Sequence, residues 1–507
     1  MSRYAWGLPQ ADAIYHDAHI SEQKGNPLIE ALPEILSDEE LFYNLRQECD
    51  VKREELSKLS EEERCSCVDQ LYDVFQPWDV HIRIARNLES SIRMGYTGRN
   101  PLGAEYIRHQ RAVASSVHNR DITFSAVPSN ARASGFSIIG FSGMGKTTGI
   151  TRALKQYPQV ISHTEYHGGP FPFTQIIWMK LNCPFDMRVK GLCIEFFQEF
   201  DRLTGDNTYE RFAASSRATT DLMLPQMAML ASRHGLGALV IDEIQNLRGN
   251  GKQQTLDFLT QLVNKIGVPI ILVGTQAALE TLTSDVATAR RFSGANGAVI
   301  MDLLEYGSDE WEMLLCGLQK YQWTDKKAAL LDKNIQGVLY EESRGMVSHV
   351  VNLLVQAQKA AIQRGDDSIS SKLISEVAHS DSNLLLRSML KKIEHNTLSK
   401  ATDRDFLLAL TRIRANKDGT EERQKKEATT GVSQLRIESV KADVAKKENG
   451  KKVQMDDLSG YILQKDDPSC HKSFIPHGKI ANVSGLNGSE WARHFRTALL
   501  NLQARNG

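Results

Sequence analysis

The sequence is short of several things, and each shortage narrows what it encodes. Long hydrophobic runs are missing: no eighteen consecutive apolar residues occur among its 507, which speaks against a membrane-spanning helix. The opening Met-Ser-Arg-Tyr-Ala-Trp-Gly is polar and has no apolar leader core, so a cytoplasmic protein is expected. Neither charge sign is in excess. Lys plus Arg number 61 and Asp plus Glu 62, for a formal net charge of -1. Any contact with nucleic acid must then come from a local patch, or from charges repeated around an assembly. Cysteine is scarce: seven, an odd number without regular spacing, which suits a reducing compartment and not a disulfide framework. Cys65 and Cys67 are too close for a zinc knuckle and lack a second pair, so they read as plain thiols.

Against these absences stands one dense motif, Gly140-Phe-Ser142-Gly143-Met144-Gly145-Lys146-Thr147-Thr148. It has the G-x-x-x-x-G-K-[ST] spacing of a P-loop. The glycines let successive backbone N–H groups curl around phosphate oxygens, with Ser142, Met144 and Thr148 completing the cradle. Lys146 would reach the β- and γ-phosphates of ATP, and the Thr147 hydroxyl would ligate Mg²⁺. The context agrees. The apolar Gly135-Phe-Ser-Ile-Ile139 predicts a buried strand and Lys146 to Gln156 a helix, whose positive end faces the phosphates.

About a hundred residues later comes Ala238-Leu-Val-Ile-Asp242-Glu243. A buried strand here delivers two acids to the carboxyl edge of a sheet, where ligands bind in open α/β folds. Asp242 would hold Mg²⁺ through its water shell, and Glu243 would polarise the attacking water. The plainer alternative is an acid pair capping the next helix. The next strand, Val268-Pro-Ile-Ile-Leu-Val-Gly-Thr275-Gln276, ends in polar residues, and Thr275 would sit beside the γ-phosphate. A turn threonine is the other reading. Arg290 and Arg291 close a helical stretch on the domain rim. They read either as solvated surface or as an arginine finger reaching a neighbouring copy's nucleotide.

Residues 1–110 are expected to form a helical N-terminal extension, with capping boxes at Ser37-Asp-Glu-Glu40 and Ser60-Glu-Glu-Glu63. Within it, Gly95-Tyr-Thr-Gly-Arg99-Asn-Pro101 reads as a turn. Arg99 there is taken as a surface arginine in preference to a nucleotide neighbour. Residues 111–303 alternate strand and helix, which predicts an α/β nucleotide-binding domain with a parallel sheet between helices. Gln175 to Leu181 reads as one of its strands. Residues 304–380 turn all-helical, as a lid would. Residues 381–507 form a polar, largely extended C-terminal tail: Arg412 to Lys452 is rich in charge and nearly free of aromatics. It ends in an amphipathic helix with Trp491, Phe495 and Leu499 on one stripe, set either to dock on a partner or to pack on its own chain.

The P-loop, the Asp-Glu pair, the polar strand end, the rim arginines and the helical lid together resemble the AAA+ ATPases. More narrowly, residues 66–380 resemble the TnsC/TniB family of transposition regulators. That resemblance rests on Gly-Phe-Ser-Gly-Met-Gly-Lys-Thr-Thr, Leu-Val-Ile-Asp-Glu-Ile-Gln245, Ile-Leu-Val-Gly-Thr275 and the Gly95–Pro101 stretch. It implies an ATP- and Mg²⁺-dependent homo-oligomer, ring or filament, on double-stranded DNA. Such an assembly links a target-selector protein to transposase subunits, and hydrolysis drives its disassembly. It also implies DNA contacts from two loops, through Arg188 and Lys190 in one and Lys252 in the other. Solvated loop charge is the alternative for each. One departure concerns the lid: an arginine is common three residues after its glycine, and Gly345 is followed there by Ser348, with Arg344 as the candidate substitute. Rival readings are a replication-initiator or clamp-loader-type ATPase, and a signalling or scaffold NTPase that acts on protein alone. A small-molecule kinase fits least.

Overall fold

The structure is a computed structural model that describes residues 10–119 apart from 19 and 52, 135–183, 189–246 apart from 216, 258, 267–278 apart from 277, and 297–383. The chain divides into two compact units. One comprises residues 1–45 and 80–302, the other 46–79 and 303–507.

The first unit is built on a five-stranded sheet. Its strands continue a numbering that begins with β1 (Gln10–Asp12): β2 (Phe136–Gly140), β5 (Trp178–Asn182), β6 (Ala238–Asp242), β7 (Ile270–Gly274) and β8 (Val299–Met301). Their order is β5-β6-β7-β2-β8, with every pair parallel. Every residue of β2, β6 and β7 is buried. This is why each reads as an unbroken apolar run and not as an alternation. β2 lies between β7 and β8, and the carboxyl ends of these parallel strands form the edge where ligands bind in open α/β sheets. One face is covered by the helices Val189–Thr204 and Thr220–Arg233. Phe196, Phe197, Phe200, Met223 and Met227 pack there on Met179, Leu181, Leu239, Ile241 and Leu272, all essentially inaccessible. At roughly 1.5–3 kcal/mol for each large side chain buried, this layer fixes the sheet's position.

A second, three-stranded sheet was not expected. It consists of β1, β3 (Val160–Tyr166) and β4 (Gly169–Ile176), in the order β1-β3-β4. The stretch from Gln175 to Leu181 is thus not one strand. It breaks at Ile177, whose N–H donates to Gln159 O at 2.9 Å while its own carbonyl accepts from Ala238 N–H at 2.9 Å. Residues before the break belong to the hairpin and those after it to the central sheet.

The Gly95–Arg99 stretch also departs from the surface turn expected of it. It closes the helix Asp79–Thr97, and Arg99 is only 2% exposed. Its Nε donates to Gly95 O and its Nη1 to Leu236 O, each at 2.7 Å, and Tyr96 Oη donates to Gly235 O at 2.7 Å. A Cβ on Gly95 would lie 2.9 Å from the Pro269 ring. Leu236 and Pro269 precede β6 and β7, so this anchor grips the amino edge of the sheet, opposite the crevice. Burial without a carboxylate partner lowers the Arg99 pKa.

The second unit joins residues 46–79 to a helical set: Asp309–Leu318, Lys333–Ser343, Val347–Arg364 and Ser371–Ala378. Arg53 and Arg64 cap carbonyls. Arg53 donates to Gln322 O, Thr324 O and Asp325 O, and Arg64 to Trp323 O at 2.7 Å. The capping boxes at Ser37–Glu40 and Ser60–Glu63 both form. Gly345 adopts φ 77, and a Cβ there would meet Leu304 O at 2.0 Å. Arg344, the candidate lid arginine, is the left-handed C-cap of the helix Lys333–Ser343. Among the described residues no helix is long and apolar enough to cross a membrane.

Candidate active site

The P-loop follows β2 directly. Phe141 N–H donates to Met301 O at 3.0 Å, which pins the start of the loop to β8. Gly143 and Gly145 then take φ 81 and 87, a region that side chains disfavour. Gly145 is the left-handed N-cap of the helix Lys146–Leu154. Lys146 Nζ donates to Phe141 O at 2.7 Å, across the mouth of the loop. Ser142, Gly143, Thr147 and Thr148 are exposed, whereas Met144 is buried beneath them. Met144 therefore supports the cradle and leaves its surface to its neighbours. Gly140 is needed for packing: a Cβ there would lie 2.1 Å from Met301 O.

A cleft of about 230 Å³ opens above this loop, lined by Ser142, Gly143, Gly145, Lys146, Thr147, Thr148, Asp242, Glu243, Gln245, Gly274 and Thr275. The ends of β2, β6 and β7 thus bring three motifs, far apart in sequence, to one place. Asp242 is 2% exposed. Its Oδ1 accepts from Glu243 N–H at 2.9 Å, and its Oδ2 lies 3.0 Å from Lys180 Nζ. Glu243 has φ 59, an unusual conformation for a residue with a long side chain. Its Oε2 accepts from Gln245 Nε2. Thr275 N–H donates to Gln245 Oε1 at 3.0 Å, while Thr275 Oγ1 is buried with no hydrogen-bond partner.

Lys180 and Gln245 are the residues that sequence reasoning left without a role. Lys180 carried a signal: it is the one charge in the apolar Ile176-Ile-Trp-Met-Lys-Leu181. At the end of β5, Asn182 N–H donates to Glu195 Oε1 at 2.8 Å, and burial raises the Glu195 pKa against that bond. Beneath the P-loop helix, His81 packs on Gly149, where a Cβ would meet its ring at 2.8 Å. Burial pushes the His81 imidazole down to about 3.

Of the proposed DNA contacts, Lys190 lies half-buried in the first turn of the helix Val189–Thr204. Arg188 and Lys252 lie outside the described residues. So do the rim arginines Arg290 and Arg291, the stretch Arg412 to Lys452 and the Trp491–Leu499 stripe.

Residues 131–282 match the family model of an AAA domain. This part of the chain has the AAA+ P-loop fold. No curated protein matches the sequence at a significant level. Similar solved structures include the Walker-type ATPase of Pyrococcus abyssi, at 14% identity over 57% of this chain and 75% of that one, TM-score 0.34. The Aeropyrum pernix ORC1 protein in complex with DNA is 14% identical over 71% of this chain and 81% of that one, TM-score 0.35. Drosophila ORC bound to DNA is 11% identical over 79% of this chain and 88% of that one, TM-score 0.33.

The AAA+ fold implies a nucleotide and a Mg²⁺ ion, and the residues fit both. Two positive-φ glycines and a helix N-terminus make an anion cradle. The orphaned Thr275 Oγ1 gives the cleft a buried polar atom awaiting a partner. The oxygen donors Thr147 and Asp242 suit a hard cation that takes its other ligands from phosphate and water.

Proposed function

We propose that this chain is a Mg²⁺-dependent ATPase that works as a switch on duplex DNA. The observation that carries the ATPase reading is the convergence of Lys146, Thr147, Asp242, Glu243 and Thr275 on one cleft. The P-loop amides and Lys146 hold the phosphates. Thr147 and Asp242 would hold Mg²⁺, which when bound neutralises phosphate charge. Glu243 orients the attacking water and takes its proton, and Thr275 Oγ1 reads the terminal phosphate or that water.

The finer reading is a DNA-transposition regulator: ATP-bound copies assemble on target DNA, meet a target selector and transposase subunits, and disperse on hydrolysis. The motifs quoted for the TnsC/TniB resemblance support it. Arg290 or Arg291 would serve a neighbour's nucleotide, while Arg188, Lys190 and Lys252 would face phosphates.

The test combines turnover with electron microscopy of wild type, Lys146→Ala and Glu243→Gln, with ATP, with and without duplex DNA. Both variants should lose hydrolysis, Lys146→Ala through lost binding. Glu243→Gln should accumulate rings or filaments on DNA. Full turnover in Glu243→Gln would refute the assigned chemistry. Assembly indifferent to DNA would favour a protein-only NTPase, and assembly confined to origin-like or primed DNA an initiator or clamp loader.

A further inference from the structure

We infer that Gln245 is a positioning residue that ties Glu243 to Thr275, so that the acid and the phosphate-reading threonine act as one device. The inference rests on the ATPase reading above and deepens it. Its basis is a bridge made by one side-chain amide. Gln245 Nε2 donates to Glu243 Oε2, and Gln245 Oε1 accepts from Thr275 N–H at 3.0 Å. A side-chain amide suits this place because one end donates and the other accepts.

The surroundings are shaped for the bridge. Gly274 sits directly beneath it, and a Cβ there would lie 2.5 Å from Ile244 Cγ1 and 3.1 Å from Gln245 Oε1. A side chain at position 274 would therefore push the short helical turn Ile244–Asn246 off the strand end. Asn246 secures the other side of that turn, since its Nδ2 donates to Cys183 O at 3.0 Å. Glu243 is held with φ 59 between the buried Asp242 and this turn. Backbone strain of this kind persists where the surroundings over-determine it. Thr275 completes the set. Its N–H is engaged by Gln245, while its buried Oγ1 has no hydrogen-bond partner and lines the same cleft. A group bound at Oγ1 would shift Thr275, and the shift reaches the Glu243 carboxylate through a single side chain.

Gln245→Met keeps the length of the side chain and removes both hydrogen bonds. Its kcat for ATP should fall about thirtyfold, within the roughly 10–100-fold typical of removing a hydrogen-bond partner that orients a working side chain. KM and fluorescent-nucleotide affinity should stay within about twofold, because Gln245 supports the hydrolytic acid and not the phosphate cradle. Gln245→Glu, which keeps an acceptor for Thr275 N–H but cannot donate to Glu243, should fall as far. In a cycle with Thr275→Val, the double variant should lose much less than the product of the two single losses, because the residues act in series. Wild-type kcat in Gln245→Met, alongside an inactive Glu243→Gln control, would overturn the inference and leave the ATPase reading standing. Equal losses in nucleotide affinity and kcat would overturn it too, since that marks a merely structural role. Full activity in the Glu243→Gln control would remove the underlying reading itself.

Discussion

Replacing Lys180 should make the nucleotide-free protein fragile in a way that Mg²⁺ and ATP repair. Lys180 Nζ lies 3.0 Å from Asp242 Oδ2. At an effective dielectric constant of about 20, two unit charges at that distance attract by about 5–6 kcal/mol. Desolvation offsets part of this. The Lys180 side chain keeps 21% of its exposure while that of Asp242 keeps 3%, so most of the burden falls on the carboxylate. Lys180→Met leaves that carboxylate with Glu243 N–H as its remaining described hydrogen-bond donor. A loss of about 2–3 kcal/mol follows, below the 3–5 typical of fully buried pairs. For a unit of this size, that lowers the first melting transition by about 5–10 °C. The assay is calorimetry or dye-monitored melting, with EDTA and then with saturating Mg²⁺ and ATP. A bound cation takes over part of Lys180's role, so the deficit should shrink in the second condition. Asp242→Asn in the same background should also recover stability, because it removes the charge that lost its partner. A Lys180→Met protein that melts with wild type in EDTA, or shows the same deficit in both conditions, would refute the electrostatic account.

Acid should weaken both units. His81 is held at about 3 and His349 at about 4 by burial, against an ordinary 6.5. Each contributes fully above pH 6.5 and loses its contribution as pH falls toward its folded value. Between pH 7.5 and 5, His81 alone should account for about 2 kcal/mol. His81→Leu should flatten urea midpoints over that range, and an unchanged pH slope would count against it. Gly140→Ala should fail to give soluble protein, because its Cβ meets a backbone oxygen at 2.1 Å where nothing can rotate away. Gly168→Ala has open space and a positive φ, so it should cost only about 1–2 kcal/mol. Equal yields of the two would contradict the packing described for β2 and β8.

The chemistry of the cleft was legible because each part is a local pattern. A glycine-rich turn before Lys146, two acids after an apolar strand and a threonine after the next all announce themselves within ten residues. Gln245 stood in plain view beside Asp242-Glu243, but its role is a relation to Thr275, which only the pairing of β6 with β7 creates. The second sheet left little trace. β1 is only Gln-Ala-Asp, joined to β3 by its backbone and by Gln10 Nε2 donating to Ser162 Oγ at 2.9 Å, and β4 carries two prolines, which suit an edge strand and mask it. Arg99 misled for a related reason: an arginine among turn residues ordinarily faces water, and burial of this one depends on two carbonyls at positions 95 and 236.

The threading of the second unit has a consequence for biosynthesis. Residues 46–79 bring Leu56, Val68, Leu71 and Trp78 to a core completed by residues from 303 onward. The ribosome makes residues 80–302 in between. At roughly 5–20 residues per second, the early segment waits on the order of 10–50 s for its partner. During that interval its apolar side chains and the cation-rich pair Arg53 and Arg64 are exposed to whatever else is nearby. A nascent chain arrested once β8 has emerged from the ribosome should therefore hold a folded nucleotide domain with an open loop hanging from it, and that loop is where a chaperone would first take hold.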